Sequence, residues 1–238
     1  MDNALPPLNS EYALFLDIDS SLLDIAPGRV ATTIPPELPQ LLHRLMQHHG
    51  GALALMSGRT LANIERLFGD MDCSNFSIAA EHGSILCSAT GKITALGAPA
   101  PALAGLISPL RAAVAARPGT ALEQKRFGIS ISWQGASAMG DSLAKLVTSL
   151  VVPHTELVTL PTHDGLEIRS RMTDKAGALE AFLRDPPFLG RQPVFIGNDT
   201  ADERAIARAV ELGGLGLHVG RHFSGQPNEV RRWLETGL

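Results

Sequence analysis

The chain has 238 residues, 45% of them hydrophobic and 18% charged, with a formal net charge of −4. With no basic excess and no Lys/Arg run, the electrostatic footprint of a nucleic-acid binder is missing, and no apolar run approaches the ~20 residues that cross a bilayer. Cys73 and Cys87 are too few for a disulfide framework, so the reading is a reduced, cytoplasmic protein of one domain or two small ones.

The first predicted element is the apolar run Ala13 to Leu16, which leads into Asp17-Ile18-Asp19-Ser20-Ser21. A short apolar run bounded by polar residues reads as a strand buried on both faces, as in a parallel sheet. In open α/β sheets, ligands bind at the carboxyl ends of the strands, where Asp17 and Asp19 fall. Period-2 spacing turns both side chains to one side of the strand, and two such carboxylates repel unless a cation or proton lies between them. A hard divalent metal suits that position. A strand ending in a solvated acidic turn is the competing reading.

Residues 35–49 have helical apolar spacing at Leu38, Leu41, Leu42 and Leu45, and stop at Gly50-Gly51. Strand 52–56 runs into Ser57-Gly58-Arg59-Thr60 and a helix over 61–68. Strand 76–80 ends at Glu81-His82-Gly83, and 84–96 reads as a hairpin about Thr90-Gly91. Alternating strands and helices predict a doubly wound parallel sheet.

The pattern changes at the linker-like stretch Gly97 to Pro101. Beyond it the spacing predicts a helix over 103–116, one strand over 121–133, a helix over 137–151 and a hairpin over 156–169 around Thr162 to Gly165. Phe127, Ile129, Ile131 and Trp133 alternate with Gly128, Ser130, Ser132 and Gln134, so this sheet has one apolar and one polar face. This is a small α+β insertion. At Thr173-Asp174-Lys175 the first pattern resumes: a helix to Arg184, strand 193–196, Gly197-Asn198-Asp199, helix 201–211, strand 215–219 and a last helix ending near Trp233.

Several strand ends carry chemistry. Ser57 and Gly58 can offer a hydroxyl and a backbone N–H near a helix start, a phosphate-favouring position, although Ser57 can equally be an N-cap. Lys175 lies in the first turn of its helix, where a cation opposes the macrodipole, so it calls for an anionic partner nearby. Gly197-Asn198-Asp199, with Asp202 and Glu203 following, can supply further metal-directed oxygens or serve as loop and cap residues. Rival motifs fail on inspection. Gly135 to Ser142 has P-loop spacing but Asp141 where the lysine is needed, Gly213 to Gly220 do not form GxGxxG, and there is no GxSxG or HExxH.

In order, the strand ends give Asp-x-Asp, Ser-Gly-Arg, a helix-start Lys and Gly-Asn-Asp. This resembles the haloacid dehalogenase superfamily. Ala80-Glu81-His82-Gly83, Leu122-Glu123-Gln-Lys125-Arg-Phe, Leu166-Glu167-Ile-Arg169 and Gly197-Asn-Asp-Thr-Ala-Asp202-Glu203 are similar to signatures of trehalose-6-phosphate phosphatases within it. The resemblance implies a Rossmann-like α/β core over 1–98 and 172–238, and an inserted α+β cap over 99–171 that selects the substrate. It implies Asp17 as nucleophile, Asp19 as acid/base and Lys175 as a catalytic partner. Ser21, Ser57 and Gly58 would bind the phosphoryl end and Glu123, Lys125 and Glu167 the sugar, with Arg59 and His82 as further substrate-binding residues. Mg²⁺ would be held by Asp17, the Asp19 backbone carbonyl, Asn198 and Asp199.

The implied reaction is hydrolysis of a small-molecule sugar phosphate, trehalose 6-phosphate, with no nucleic-acid or membrane partner. Alternatives are a capped phosphatase acting on sucrose phosphate or a glycosyl phosphoglycerate, and a silent relative that senses sugar phosphate. Oligomeric state is not legible; a monomer is compatible with the sequence. Ser20 replaces a usual glycine, and Asn198 stands where the family signature usually has aspartate. Glu123 and Lys125 share parity with Phe127 and Ile129, which predicts either a bulge near Gly128 or a strand whose regular part excludes them.

Overall fold

The computed structural model describes residues 5–24, 34–69, 76–133, 137–162 and 164–238. Cys73, Gln134, Gly135 and His163, part of the segments named above, lie outside them. The chain forms two compact units, Met1–Leu96 with Asp174–Leu238, and Gly97–Thr173.

The first unit opens with β1 (Tyr12–Asp17), α1 (Leu38–His48), β2 (Leu53–Met56), α2 (Leu61–Phe68), β3 (Ser77–Ala80), β4 (Ile85–Cys87) and β5 (Ile93–Ala95). The second unit holds α3 (Pro101–Ala115), β6 (Ala121–Gln124), β7 (Gly128–Ser132), α4 (Ser137–Val151), β8 (Leu157–Thr162) and β9 (Gly165–Ser170). The first unit then resumes with α5 (Lys175–Phe182), β10 (Gln192–Gly197), α6 (Glu203–Glu211), β11 (Leu215–His218), α7 (Val219–His222) and α8 (Pro227–Glu235). Among the described residues, no helix is long and apolar enough to cross a membrane.

In the first unit the sheet order is β11-β10-β1-β2-β3-β4-β5. The strands from β11 to β3 are parallel, and the hairpin β4-β5 adds an antiparallel edge. Ala13, Leu14, Phe15 and Leu16 are fully buried, as a central strand covered on both faces requires. On one face Phe15 packs with Phe182 and Phe188, their ring centroids 6.3 and 5.4 Å from its own, beside Leu179, Ala205 and Ile206. Burying each large apolar side chain contributes about 1.5–3 kcal/mol. Through Phe15 and Phe182 that packing fixes α5 against β1, and with it the place of Lys175 relative to Asp17.

The second unit is a four-stranded antiparallel sheet, β6-β7-β9-β8. Ile129, Ile131, Leu166 and Ile168 face a core shared with Leu103, Leu106 and Leu110 of α3 and Leu143 and Val147 of α4. The single strand predicted over 121–133 is instead two. The chain reverses at Lys125-Arg126-Phe127, with Lys125 N–H donating to the Gly128 carbonyl at 2.9 Å. Reversal resets the parity, which removes the conflict without a bulge. Glu123 pairs with Ser130 on the polar face, while Leu122 pairs with Ile131 on the apolar one.

Candidate active site

Charged groups gather at the carboxyl ends of β1, β2 and β10. The register pairs Leu16 with Ile196 and Asp17 with Met56, so Asp17 ends its strand beside Gly197 and next to Ser57. Asp17 is 4% exposed. Its Oδ1 accepts from Lys175 Nζ at 2.6 Å, and its Oδ2 accepts from the Ser21 hydroxyl at 2.8 Å. Lys175 is the first residue of α5, whose cap is Asp174, accepting from Gly177 N–H at 2.9 Å. The ammonium, 2% exposed, reaches back between two acids, donating also to Asp202 Oδ1 at 2.6 Å. Those acids answer the cation that α5 places against its own dipole.

Burial opposes the charge on Lys175, but the nearby carboxylates of Asp17, Asp202 and Asp199 outweigh it and raise its pKa. Lys175 therefore stays an ammonium. Burial pushes the Asp17 carboxyl well up; Lys175 pulls it back, and the Asp202 and Asp199 charges push it up again. For Asp202, burial is outweighed by Lys175 and by backbone N–H donors, and its pKa falls. Three carboxylates thus act on one ammonium, an imbalance that favours a further cation.

Asp19 is not the strand partner that period-2 spacing predicts. Regular β structure stops at Asp17, so the alternation does not extend to Asp19. Its carboxylate is gripped by Arg59, Nε to Oδ2 at 2.8 Å and Nη2 to Oδ1 at 2.7 Å, and no cation is needed between the two side chains. The Asp19 backbone carbonyl, by contrast, lies with Asp17 Oδ2 about a single Asn198 side-chain atom, at 3.0 and 3.2 Å. Residues 18–23 form a tight turn, with Leu22 and Leu23 N–H both donating to the Ile18 carbonyl, and Ser20 takes a φ of 58°.

Ser57 is fully buried and does not cap α2; Thr60 does, accepting from Asn63 N–H at 3.2 Å. Ser57 Oγ instead accepts from Arg59 N–H at 3.1 Å. The His82 ring lies against Gly58, where a Cβ would come within 2.4 Å of Nε2, so glycine is required there by close approach. Glu81 and His82 both adopt left-handed backbone, at φ 48° and 54°, where β3 ends.

After β10 the chain turns through Asn198 and Asp199 and folds Asp202 underneath. Asp202, fully buried, accepts at Oδ2 from Asn198 N–H (2.9 Å) and Asp199 N–H (3.2 Å). Gly197 makes room for this return, because a Cβ there would lie 2.5 Å from Asp202 Cγ. Asp202 is the residue that the sequence reading left among possible metal ligands; its work is to hold the loop and Lys175. The signal that could have found it is the glycine directly before an Asn-Asp loop, with a second acid three residues after that loop's aspartate. Asp199 Oδ1 accepts from Ala201 N–H at 2.8 Å and Asp202 N–H at 3.2 Å, closing the turn that precedes α6.

The Asn198 amide is assigned by its neighbours with the nitrogen toward the Asp19 carbonyl (3.0 Å) and Asp17 Oδ2 (3.2 Å). Two hard oxygens and an amide that can present either end, beside an excess of carboxylate, fit a divalent cation with oxygen ligands.

In the inserted unit, Glu123, Ser130 and Glu167 form one cross-strand row on the face opposite the apolar core. Lys125, in the turn after β6, donates to Glu167 Oε1 at 2.9 Å, with both side chains about 5% exposed. The three residues expected to read the sugar therefore share one sheet face. Arg169 ties the end of this unit, donating to the carbonyls of Ser170 and Thr173.

A mainly parallel sheet interrupted by an α+β insertion, with an aspartate closing its central strand against a helix-start lysine, defines the haloacid dehalogenase class. A haloacid dehalogenase-like hydrolase from B. subtilis shares the fold at a TM-score of 0.61 and 10% identity, covering 82% of this chain and 86% of that one. The model of the trehalose-phosphatase family matches residues 15–226, and the chain belongs to that family, whose members are phosphoric monoester hydrolases. Trehalose-6-phosphate phosphatase of Escherichia coli K12 is 30% identical over 237 residues, 97% of this chain and 88% of its own length. The C-terminal domain of C. albicans trehalose-6-phosphate phosphatase shares the fold over all of both chains, with a TM-score of 0.78 at 17% identity.

Proposed function

We propose that this chain hydrolyses trehalose 6-phosphate to trehalose and inorganic phosphate through a phosphoaspartate on Asp17. The observation that carries the mechanism is the Asp17 carboxylate itself, fixed at a buried strand end with Lys175 on one oxygen and Ser21 on the other. In the first step a carboxylate oxygen of Asp17 attacks phosphorus, the bond from phosphorus to the sugar oxygen breaks, and Asp19 delivers a proton to that oxygen. In the second, water attacks phosphorus, Asp19 takes its proton, and phosphate leaves with the carboxylate restored. Lys175 neutralises Asp17 so that it can approach a dianion, and with Ser21, Ser57 and the Gly58 N–H it stabilises the phosphoryl oxygens.

Arg59 holds Asp19 with two hydrogen bonds in this structure. A substrate phosphate offers that guanidinium a second anion of matching geometry, which frees the Asp19 carboxyl to act as the acid. His82 lies against Gly58 and would line the phosphoryl pocket. Mg²⁺, held by Asp17, the Asp19 carbonyl, Asn198 and Asp199, would supply Lewis-acid neutralisation of the phosphoryl charge.

Sugar recognition is assigned to Glu123, Lys125 and Glu167 of the inserted unit, where carboxylates accept from sugar hydroxyls and the ammonium donates. Support for this comes from their common sheet face and the Lys125–Glu167 pair. The test is phosphate release from a panel of sugar phosphates, with Mg²⁺ and with chelator. Trehalose 6-phosphate should lead the panel, and chelator should stop release. Preference for sucrose phosphate or a glycosyl phosphoglycerate overturns the substrate assignment; binding without release from any of them makes the chain a sensor.

A further inference from the structure

We infer that Asn198 lets this chain keep its nucleophile loop closed without a metal: the side-chain amide takes the bridging place between Asp17 and the Asp19 carbonyl that a carboxylate could share only with a cation or a proton. This deepens the phosphatase reading, on which it rests for the identity of the metal as Mg²⁺.

The argument begins with the distances. One polar atom of the Asn198 side chain lies 3.0 Å from the Asp19 carbonyl oxygen and 3.2 Å from Asp17 Oδ2. The Ser21 hydroxyl is 3.5 Å from the same atom, but its hydrogen is already given to Asp17 Oδ2 at 2.8 Å, so an oxygen there would face two closer acceptors with no hydrogen between them. An NH₂ group satisfies both at once. The backbone leaves the side chain little freedom to move away, because Asn198 N–H is anchored on the buried Asp202 carboxylate, itself tied to Lys175. Asp17 Oδ2 then has two donors, Ser21 and Asn198, and the loops after β1 and β10 are joined by hydrogen bonds.

An aspartate at 198 cannot do this. It would bring another negative oxygen beside Asp17, in a site where three carboxylates already act on one lysine, and only a cation or a proton relieves that arrangement. With aspartate, the loops are held together by the metal; with asparagine, by two N–H bonds. Mg²⁺ binding to this chain therefore requires the amide to turn over, exchanging both bonds for one neutral oxygen ligand. Affinity for Mg²⁺ is lower, and the metal-free loop is better ordered.

Melting temperatures of wild type, Asn198→Asp and Asn198→Ala, in EDTA and in Mg²⁺ without substrate, test this together with Mg²⁺ titration calorimetry. In EDTA, Asn198→Asp should melt roughly 3–6 °C below wild type, and Mg²⁺ should raise its melting temperature by at least about 3 °C more than that of wild type. Its Mg²⁺ affinity should be at least about tenfold tighter, a ~1.4 kcal/mol difference. Asn198→Ala, which loses the donors but adds no charge, should also melt below wild type in EDTA, with no larger response to Mg²⁺ than wild type. If Asn198→Asp folds only in Mg²⁺, the metal has taken over the bridge, as inferred. Equal stability of wild type and both variants in EDTA overturns the inference, as does an equal Mg²⁺ shift for the aspartate variant. Since no substrate enters these measurements, either result leaves the phosphatase assignment to be decided by the release panel.

Discussion

Two buried lysines show how differently the two units handle charge. Lys175 sits at the start of a helix, 2% exposed, and lies between Asp17 and Asp202, each of which has further hydrogen-bond donors of its own. Lys125 projects from a tight turn and meets Glu167, which stands in a row of side chains across an antiparallel sheet. Parallel strands bring several loops to one end, so main-chain N–H groups can converge on an acid there. A sheet face offers side chains two residues apart and little backbone. The first arrangement suits chemistry, where charge must be held against its own repulsion. The second suits reading a ligand's hydroxyls. Backbone strain divides in the same way: among the described residues, the non-glycine positive-φ positions are Ser20, Glu81, His82 and Ser224, all in the first unit.

Lys175→Met should have the largest effect and would break the comparison if it did not. It leaves Asp17 and Asp202 buried without their cation, a loss of about 3–5 kcal/mol of stability at neutral pH, with turnover abolished. The pH dependence has a definite sign. In wild type the Asp202 pKa is lowered, so its contribution is present above the unfolded value near 3.8 and is lost as pH falls through the folded one. Without Lys175, burial dominates and raises it, so the variant loses stability as pH rises. Denaturant unfolding at pH 7 and pH 5 should show the gap between variant and wild type narrowing at the lower pH; a constant gap means that lost packing, not charge, is being measured.

A middle-sized effect is expected in the inserted unit. Lys125→Ala and Glu167→Ala should each lower kcat/KM for trehalose 6-phosphate by about tenfold or more, or ~1.4 kcal/mol, as when a charged hydrogen bond is lost. Hydrolysis of a small generic phosphate ester should hardly change. Equal losses on both substrates would assign the pair to structure and erase the division of labour between the lysines.

The smallest effect belongs to Ser20. At φ 58° a serine is strained by about 1 kcal/mol, and glycine relieves this while adding freedom to the unfolded chain. Ser20→Gly should raise the melting temperature by roughly 1–2 °C. A lower melting temperature would mean that the serine hydroxyl contributes more than its backbone strain removes.

What the sequence determined by itself was local: apolar runs of strand length, helical spacing with glycine stops, and the order of polar motifs at their ends. These follow from side-chain periodicity and from the rule that buried strands must release their charged residues at a sheet edge, so the α/β core and the position of Asp17 at a strand end were readable from neighbouring residues alone. Periodicity failed where the chain reversed, because two antiparallel strands of matching composition look like one long strand until the turn at Lys125 to Phe127 is known. Pairing of charges was decided only by the tertiary structure. Asp17 and Lys175 are 158 residues apart, Asp19 and Arg59 are 40 apart, and Asp202 reaches its partners only because Gly197 has no side chain in its path. Which cation meets which carboxylate depends on distances of a few ångströms between side chains from separate strands, and no spacing along the chain encodes those distances.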